Sequence, residues 1–149
     1  MKSIAVIGKR LISVFLVMVV SSLMLFTSPA IAATSVILNR ENSQTEVLQS
    51  DKPVVLILAS KDTLRFFNTS LEDLKSKAEN VFGDKYKIAI GYWEDNLEIS
   101  YGIPNLRIYP TATAVTFFES GQRRNSGFII GPDQTTQVLE GLKSDFEDS

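Results

Sequence analysis

The chain has 149 residues and contains neither cysteine nor histidine. Without cysteine there is no thiolate to attack a disulfide, which excludes thiol–disulfide exchange by this chain. Without histidine there is no imidazole to act as a base near neutral pH, and zinc lacks both of its preferred soft ligands.

Residues 1–32 have the features of a secretory signal peptide. Three basic residues in positions 1–10 precede an uncharged stretch at 11–26, and a small-x-small pattern at 30–32 predicts cleavage after Ala32. The alternative is an uncleaved membrane anchor. The uncharged stretch is shorter than the ~20 apolar residues that a spanning helix needs, so the sequence favours cleavage.

Cleavage leaves residues 33–149, a length that fits one compact domain with a single core. This part keeps twelve basic and seventeen acidic residues, a net charge of −5. That charge argues against nucleic acid and against anionic lipid as partners, so membrane contact is expected only through an uncleaved signal segment. We expect an exported protein, in a bacterial periplasm or a thylakoid lumen.

The first half of this domain alternates strands and helices. Residues 36–38 predict an edge strand and residues 41–49 a short helix. Residues 54–59 are a continuous aliphatic run without alternation, typical of a central strand buried on both faces. Apolar residues then recur every three or four positions over 64–81, which predicts a helix. A capping-box pattern beginning at Ser70 predicts that this helix restarts there.

The second half ends in a hairpin and a helix. Residues 86–92 predict another interior strand and 94–101 a short helix. Residues 113–118 and 126–130 predict two strands joined by a turn at 119–122. Gly131-Pro132-Asp133 then begins a last helix. The inner face of that helix is formed by Val138, Leu139, Leu142 and Phe146.

The order of elements, β-α-β-α-β-α-β-β-α, predicts an α/β fold. Strands alternating with helices favour parallel pairing, and the closing hairpin adds antiparallel pairing. A mixed central sheet with helices on both faces is therefore expected.

Several short segments in this order resemble the thioredoxin family. They are Lys52-Pro53-Val54-Val55-Leu56, Gly83-Asp84-Lys85, Tyr101-Gly102-Ile103, Tyr109-Pro110-Thr111 and Phe117-Phe118-Glu119-Ser120-Gly121. The resemblance covers roughly residues 35–147 and implies a thioredoxin-like fold, with a cis-proline at Pro110.

The resemblance fails at the redox site. Counting from Lys52 places Thr63-Leu64-Arg65-Phe66 at the family's Cys-x-x-Cys positions, and Ile57 at the position of its buried proton-accepting aspartate. Nucleophile, resolving thiol and proton acceptor are absent together, so the resemblance implies a redox-inactive member.

The loop before Pro110 is longer than in thioredoxins, with six residues at 104–109. A loop enlarged beside a disabled site fits a repurposed binding surface, and it equally fits neutral drift of a surface loop. Trp93 is interpreted either as core packing or as an aromatic anchor for a partner. If Phe67 packs inward, Phe66 is left near the surface as part of a docking patch.

These patterns predict an exported, non-catalytic domain that binds a protein or peptide through the former active-site face, in a chaperone, assembly or scaffold role. No metal site and no cofactor are expected. The residues expected to contact the partner are Thr63, Arg65, Phe66, Trp93, Tyr109 and Pro110.

Two alternatives stay open. One is an enzyme that binds glutathione or another small thiol, with Thr63 or Tyr109 as a ligand, since fold does not fix function. The other is a structural subunit of a membrane-associated complex.

Overall fold

A computed structural model describes residues 34–103 and 112–148, and these residues contain one five-stranded mixed sheet. The strands are β1 (Thr34–Ile37), β2 (Val54–Ala59), β3 (Lys87–Tyr92), β4 (Thr113–Glu119) and β5 (Gln122–Ile129). They lie in the order β1-β3-β2-β4-β5. The first three strands are parallel, whereas β4 is antiparallel to β2 and β5 is antiparallel to β4. The predicted mixed sheet is confirmed.

Helices cover both faces of this sheet. They are α1 (Ser43–Leu48), α2 (Lys61–Phe66), α3 (Leu71–Phe82), α4 (Leu97–Ser100) and α5 (Thr135–Glu147). Short 3₁₀ turns lie at Gly83–Lys85, Trp93–Asp95 and Pro132–Gln134. The element order agrees with the predicted one, with α2 and α3 as the two parts of the helix predicted to restart.

The aliphatic run of β2 is the centre of the fold. All six of its residues are buried, because β3 and β4 flank it and helices cover it on both sides. One core packs against α3 and α5 and includes Ile57, Phe117 and Leu139. The other packs against α1 and α4 and includes Leu56 and Val47.

The predicted capping box begins α3. The Ser70 Oγ accepts a hydrogen bond of 3.1 Å from the Asp73 amide, and the Asp73 Oδ2 accepts one of 3.1 Å from the Ser70 amide. Asn68, just before it, has a positive φ of 49° that α-helical backbone does not allow. The backbone therefore turns between the two helices.

The short helix predicted at 94–101 is confirmed only in part. A 3₁₀ turn and the short α4 replace it, separated by Asn96 with φ −126° and ψ 43°. The Asn96 Nδ2 donates to the Tyr92 carbonyl at 2.7 Å, and its backbone N–H donates to the Trp93 carbonyl at 3.2 Å. These bonds close the turn and hold Asn96 out of helical geometry.

Strand β5 begins four residues earlier than predicted. Ser120 and Gly121 both have positive φ, 52° and 72°, as in the two-residue turns that match the twist of a hairpin. Glu119 therefore pairs with Gln122 directly. Polar residues at 122–124 hid this pairing in the sequence, because they lie on the exposed edge of the sheet.

Candidate functional site

The candidate site lies where β2 and β3 end, here called the carboxyl end of the sheet. Because these strands are parallel, with Ala59 opposite Tyr92, the residues that follow both strands meet at one edge. Strand β4 runs the other way and begins at this edge with Thr113. Ligands of open α/β sheets bind outside this end of the strands, which makes it the candidate site in this fold.

Two loops are joined at this end through Lys61. Its backbone N–H donates to the Glu94 Oε1 at 3.0 Å, and its Nζ donates to the Asp95 Oδ1 at 2.8 Å. The hydrogen bond with Asp95 raises the pKa of Lys61, so its ammonium stays charged. Ser60 caps α2 by accepting from the Asp62 amide at 3.2 Å. Helix α2 is thereby fixed against the turn at Trp93–Asp95.

Between α2 and this turn lies a depression of about 520 Å³, here called the α2 groove. Its lining residues are Ser60, Asp62, Thr63, Phe66, Phe67, Trp93 and Glu94. Phe66 is 81% exposed, and its ring makes an edge-to-face contact with Phe67 at a centroid distance of 5.0 Å. Trp93 is half-buried and packs against the core on the α1 and α4 face. The groove is thus lined by three aromatic rings and by the carboxylates of Asp62 and Glu94.

The structure brings together three of the residues predicted to contact a partner. Thr63, Phe66 and Trp93 all line the α2 groove, although Thr63 itself is only 5% exposed. Arg65 is exposed, and its Nη1 lies 3.8 Å from the Asp62 Oδ1. An exposed ion pair of this kind adds little to stability. Tyr109 and Pro110, with the isomer of the bond between them, lie outside the described residues.

Ile130 belongs to the same surface, and the sequence reasoning missed it. It is 69% exposed and lines a shallow depression together with Thr63 and Phe67, which also line the α2 groove. A signal was present, because Ile129 and Ile130 are adjacent at the end of a strand. Neighbouring strand residues point to opposite faces of the sheet, so Ile129 and Ile130 could not both enter the same core.

Comparison with known protein families finds no family model that matches the chain, and no curated protein matches it either. Solved structures do match. A thioredoxin of Malassezia sympodialis (Mala s 13) aligns with 74% of this chain and 91% of its own, at 15% sequence identity and a TM-score of 0.50. At this identity the likeness establishes the fold. The chain has a thioredoxin-like fold.

This chain has the thioredoxin-like fold without any cysteine. Ile57, at the position that the resemblance assigns to a proton-accepting aspartate, is buried in the core beside Val115 and Ile90. With no cysteine in the sequence, thiol–disulfide oxidoreductase chemistry lacks its nucleophile. Enzymatic activity of another kind is a separate question.

Among residues 34–103 and 112–148, no three acidic, histidine or cysteine side chains are grouped as metal ligands. None of the helices in those two ranges has the length and apolar character needed to span a bilayer.

Proposed function

We propose that this thioredoxin-like domain binds an extended segment of a partner protein, with a large apolar side chain of that segment in the α2 groove. The observation that carries the proposal is Phe66, a phenylalanine 81% exposed on a helix that hydrogen bonds fix in place. Exposure leaves this ring little stabilising role in the free protein beyond its contact with Phe67, whereas aromatic anchors are enriched at the centres of protein interfaces.

The surroundings of Phe66 support a preformed site. The contact with Phe67 orients the exposed ring, and Trp93 forms the opposite wall of the groove. Ile130 extends the apolar surface on the far side of Thr63 and Phe67. An anchor that is already ordered loses little conformational entropy on binding, which favours affinity.

Crosslinking in the native host tests the proposal. A photo-crosslinking amino acid at position 66 should trap a specific protein, whereas the same amino acid at position 48 should not. Leu48 is the matched control because it is also an exposed large apolar residue, outside the α2 groove. Equal crosslinking to the same protein at both positions would contradict the proposal.

Affinity for the trapped partner then measures the contribution of the ring. Phe66→Ala should weaken binding by about 2 kcal/mol, roughly a 30-fold rise in Kd, because a buried aromatic anchor is lost. Leu48→Ala should leave the Kd unchanged. An unchanged Kd for Phe66→Ala would remove the ring from the interface and the proposal with it.

We also propose that residues 1–32 are removed during export and that binding takes place in a periplasm or a thylakoid lumen. The charge and cleavage patterns of the sequence support this. Amino-terminal sequencing of the protein recovered from its host should begin at Ala33. A sequence beginning at Met1 would contradict cleavage and favour the anchored alternative.

A further inference from the structure

A second cleft adjoins the α2 groove and shares Glu94 with it. This cleft, here called the Asn96 cleft, has a volume of about 390 Å³. Its lining residues are Arg40, Ser43, Glu94, Asp95, Asn96, Leu97 and Glu98. Because Glu94 lines both depressions, the two adjoin at its side chain.

Asn96 presents an oxygen without a donor. The side chain is 1% exposed, and its Nδ2 donates to the Tyr92 carbonyl at 2.7 Å. A carbonyl can only accept, so this bond fixes which end of the amide is nitrogen and leaves Oδ1 at the other end. No described residue donates to Oδ1, which is shielded from solvent.

The position of this amide is fixed by close packing. A Cβ atom at Gly91 would lie 2.8 Å from the Asn96 Nδ2 and 3.0 Å from the Leu38 Cβ. Only glycine at position 91 leaves room for the Asn96 side chain.

One carboxylate oxygen of Glu94 also lacks a hydrogen-bond donor. Its Oε1 accepts from the Lys61 amide, whereas its Oε2 is shielded from solvent and receives no hydrogen bond from any described residue. A buried acceptor without a donor costs free energy, and an ionised one costs more. Two such oxygens therefore belong to residues that line one cleft.

The charges around the cleft indicate what would fill it. Asp95 is already paired with Lys61, and the Glu98 Oε2 accepts from the Gln44 Nε2 at 2.6 Å. Glu94 is the carboxylate whose second oxygen remains to be satisfied, and Arg40 is the basic residue of the lining. A ligand that satisfies these oxygens brings N–H or O–H donors, and a positive charge on an N–H donor strengthens the bond to a carboxylate.

We propose that the Asn96 cleft binds a basic side chain, arginine or lysine, of the same segment whose apolar side chain occupies the α2 groove. This inference rests on the proposed function, because that segment carries the basic side chain. Neither oxygen touches solvent in this structure, so binding includes a rotation of the half-buried Glu94 side chain that brings Oε2 to the ligand. The partner motif is thus one large apolar residue followed or preceded by a basic one.

Synthetic peptides provide the test. Each contains one phenylalanine and one arginine separated by one to four glycines, and a matched set contains citrulline, which keeps the shape of arginine without its charge. Isothermal titration should show that the best-spaced arginine peptide binds at least about tenfold more tightly than its citrulline match. Phe66→Ala should weaken both peptides by the same factor.

Glu94→Gln should abolish the preference for arginine, because it removes the charge while an oxygen remains for the Lys61 amide. Glu140→Gln, the same change at an exposed residue of α5, should leave the preference intact. In the unmodified protein, the arginine peptide should also shift the NMR signals of the Asn96 side-chain amide more than the citrulline peptide does. This measurement keeps the test decisive if Glu94→Gln does not fold.

The outcomes separate the two proposals. Equal affinity for arginine and citrulline peptides, with both weakened by Phe66→Ala, would overturn the basic-residue inference alone. An arginine preference that survives Glu94→Gln would also overturn it. Failure of every peptide to bind the unmodified protein would count against the α2 groove itself.

Discussion

The two ends of the sheet use aromatic side chains in opposite ways. At the amino end, where β2 and β3 begin, four rings pack together: Phe82, Tyr86, Phe117 and Phe146. The Tyr86 hydroxyl donates to the Glu147 Oε1 at 3.0 Å, and the Lys85 Nζ donates to the same oxygen at 2.9 Å. At this end the rings pack against one another, and the Tyr86 hydroxyl and the Lys85 ammonium are both hydrogen-bonded.

At the carboxyl end, one aromatic ring is left exposed and one carboxylate oxygen is left without a hydrogen-bond donor. Phe66 is exposed, and the Glu94 Oε2 has no donor among the described residues. The contrast teaches that the rings at the amino end are buried together, whereas at the carboxyl end Trp93 packs against the core and Phe66 is left exposed. Substitutions at the two ends should therefore have different consequences.

The largest expected effect on stability is at the amino end. Phe117→Ala removes a fully buried ring that stacks on Phe146 at a centroid distance of 4.7 Å. We expect the free energy of unfolding to fall by about 3–5 kcal/mol, because a cavity replaces the ring. Denaturant unfolding measures this loss. A loss below that of an exposed substitution would mean that the amino end is not the stabilising one.

A smaller effect is expected from the cap that begins α3 near the carboxyl end. Ser70→Ala removes the hydrogen bond that the Ser70 Oγ accepts from the Asp73 amide, although the Ser70 amide can still donate to Asp73, and should cost about 1 kcal/mol of unfolding free energy. Ser76→Ala, at an exposed site within the same helix, is the matched control and should be neutral or slightly stabilising. Equal losses in thermal unfolding of the two variants would show that the cap contributes nothing.

The Glu147 cluster at the amino end should make stability depend on pH. Hydrogen bonds from Lys85 and Tyr86 lower the pKa of Glu147 below its ordinary value of 4.5. A lowered pKa in the folded state gives stability that is present above pH 4.5 and lost as the pH falls through the lower value. Glu147→Gln should remove this part of the acid sensitivity.

In alkaline solution the dependence of stability on pH has the opposite sign. Burial, and then the hydrogen bond to Glu147, raise the pKa of Tyr86 above its ordinary value of 10.0. The resulting stability is present below pH 10.0 and lost as the pH rises through the higher value. Unfolding free energies of the parent, Glu147→Gln and the exposed control Glu140→Gln across pH 3–11 test both limbs. Identical profiles for all three would contradict the assignment.

The smallest effect on stability should come from the carboxyl end. Phe66→Ala should change the unfolding free energy by less than about 0.5 kcal/mol, because the ring is already exposed. The same variant should lose partner affinity, so denaturant unfolding and titration together separate contact from packing. A loss of stability comparable with that of Phe117→Ala would show that Phe66 belongs to the core.

The sequence by itself determined the frame of this protein. The aliphatic run of β2, the helical spacing of α3 and the capping box at Ser70 are local patterns, and each formed where it was predicted. Such patterns are readable because burial of a whole strand or of one helix face requires a fixed periodicity. The absence of cysteine was equally decisive, since a missing nucleophile needs no structure to be recognised.

Tertiary structure decided the site. The depth of Thr63 and the joint role of Glu94 in two clefts depend on contacts between segments far apart in the chain. The sequence could say that one of Phe66 and Phe67 must face outward. The helical spacing of Leu64 and Phe67 pointed to Phe66 as that ring, and its 81% exposure agrees. Its place in one groove with Trp93 was decided only by the packing of α2 against the turn after β3, because that contact joins segments far apart in the chain.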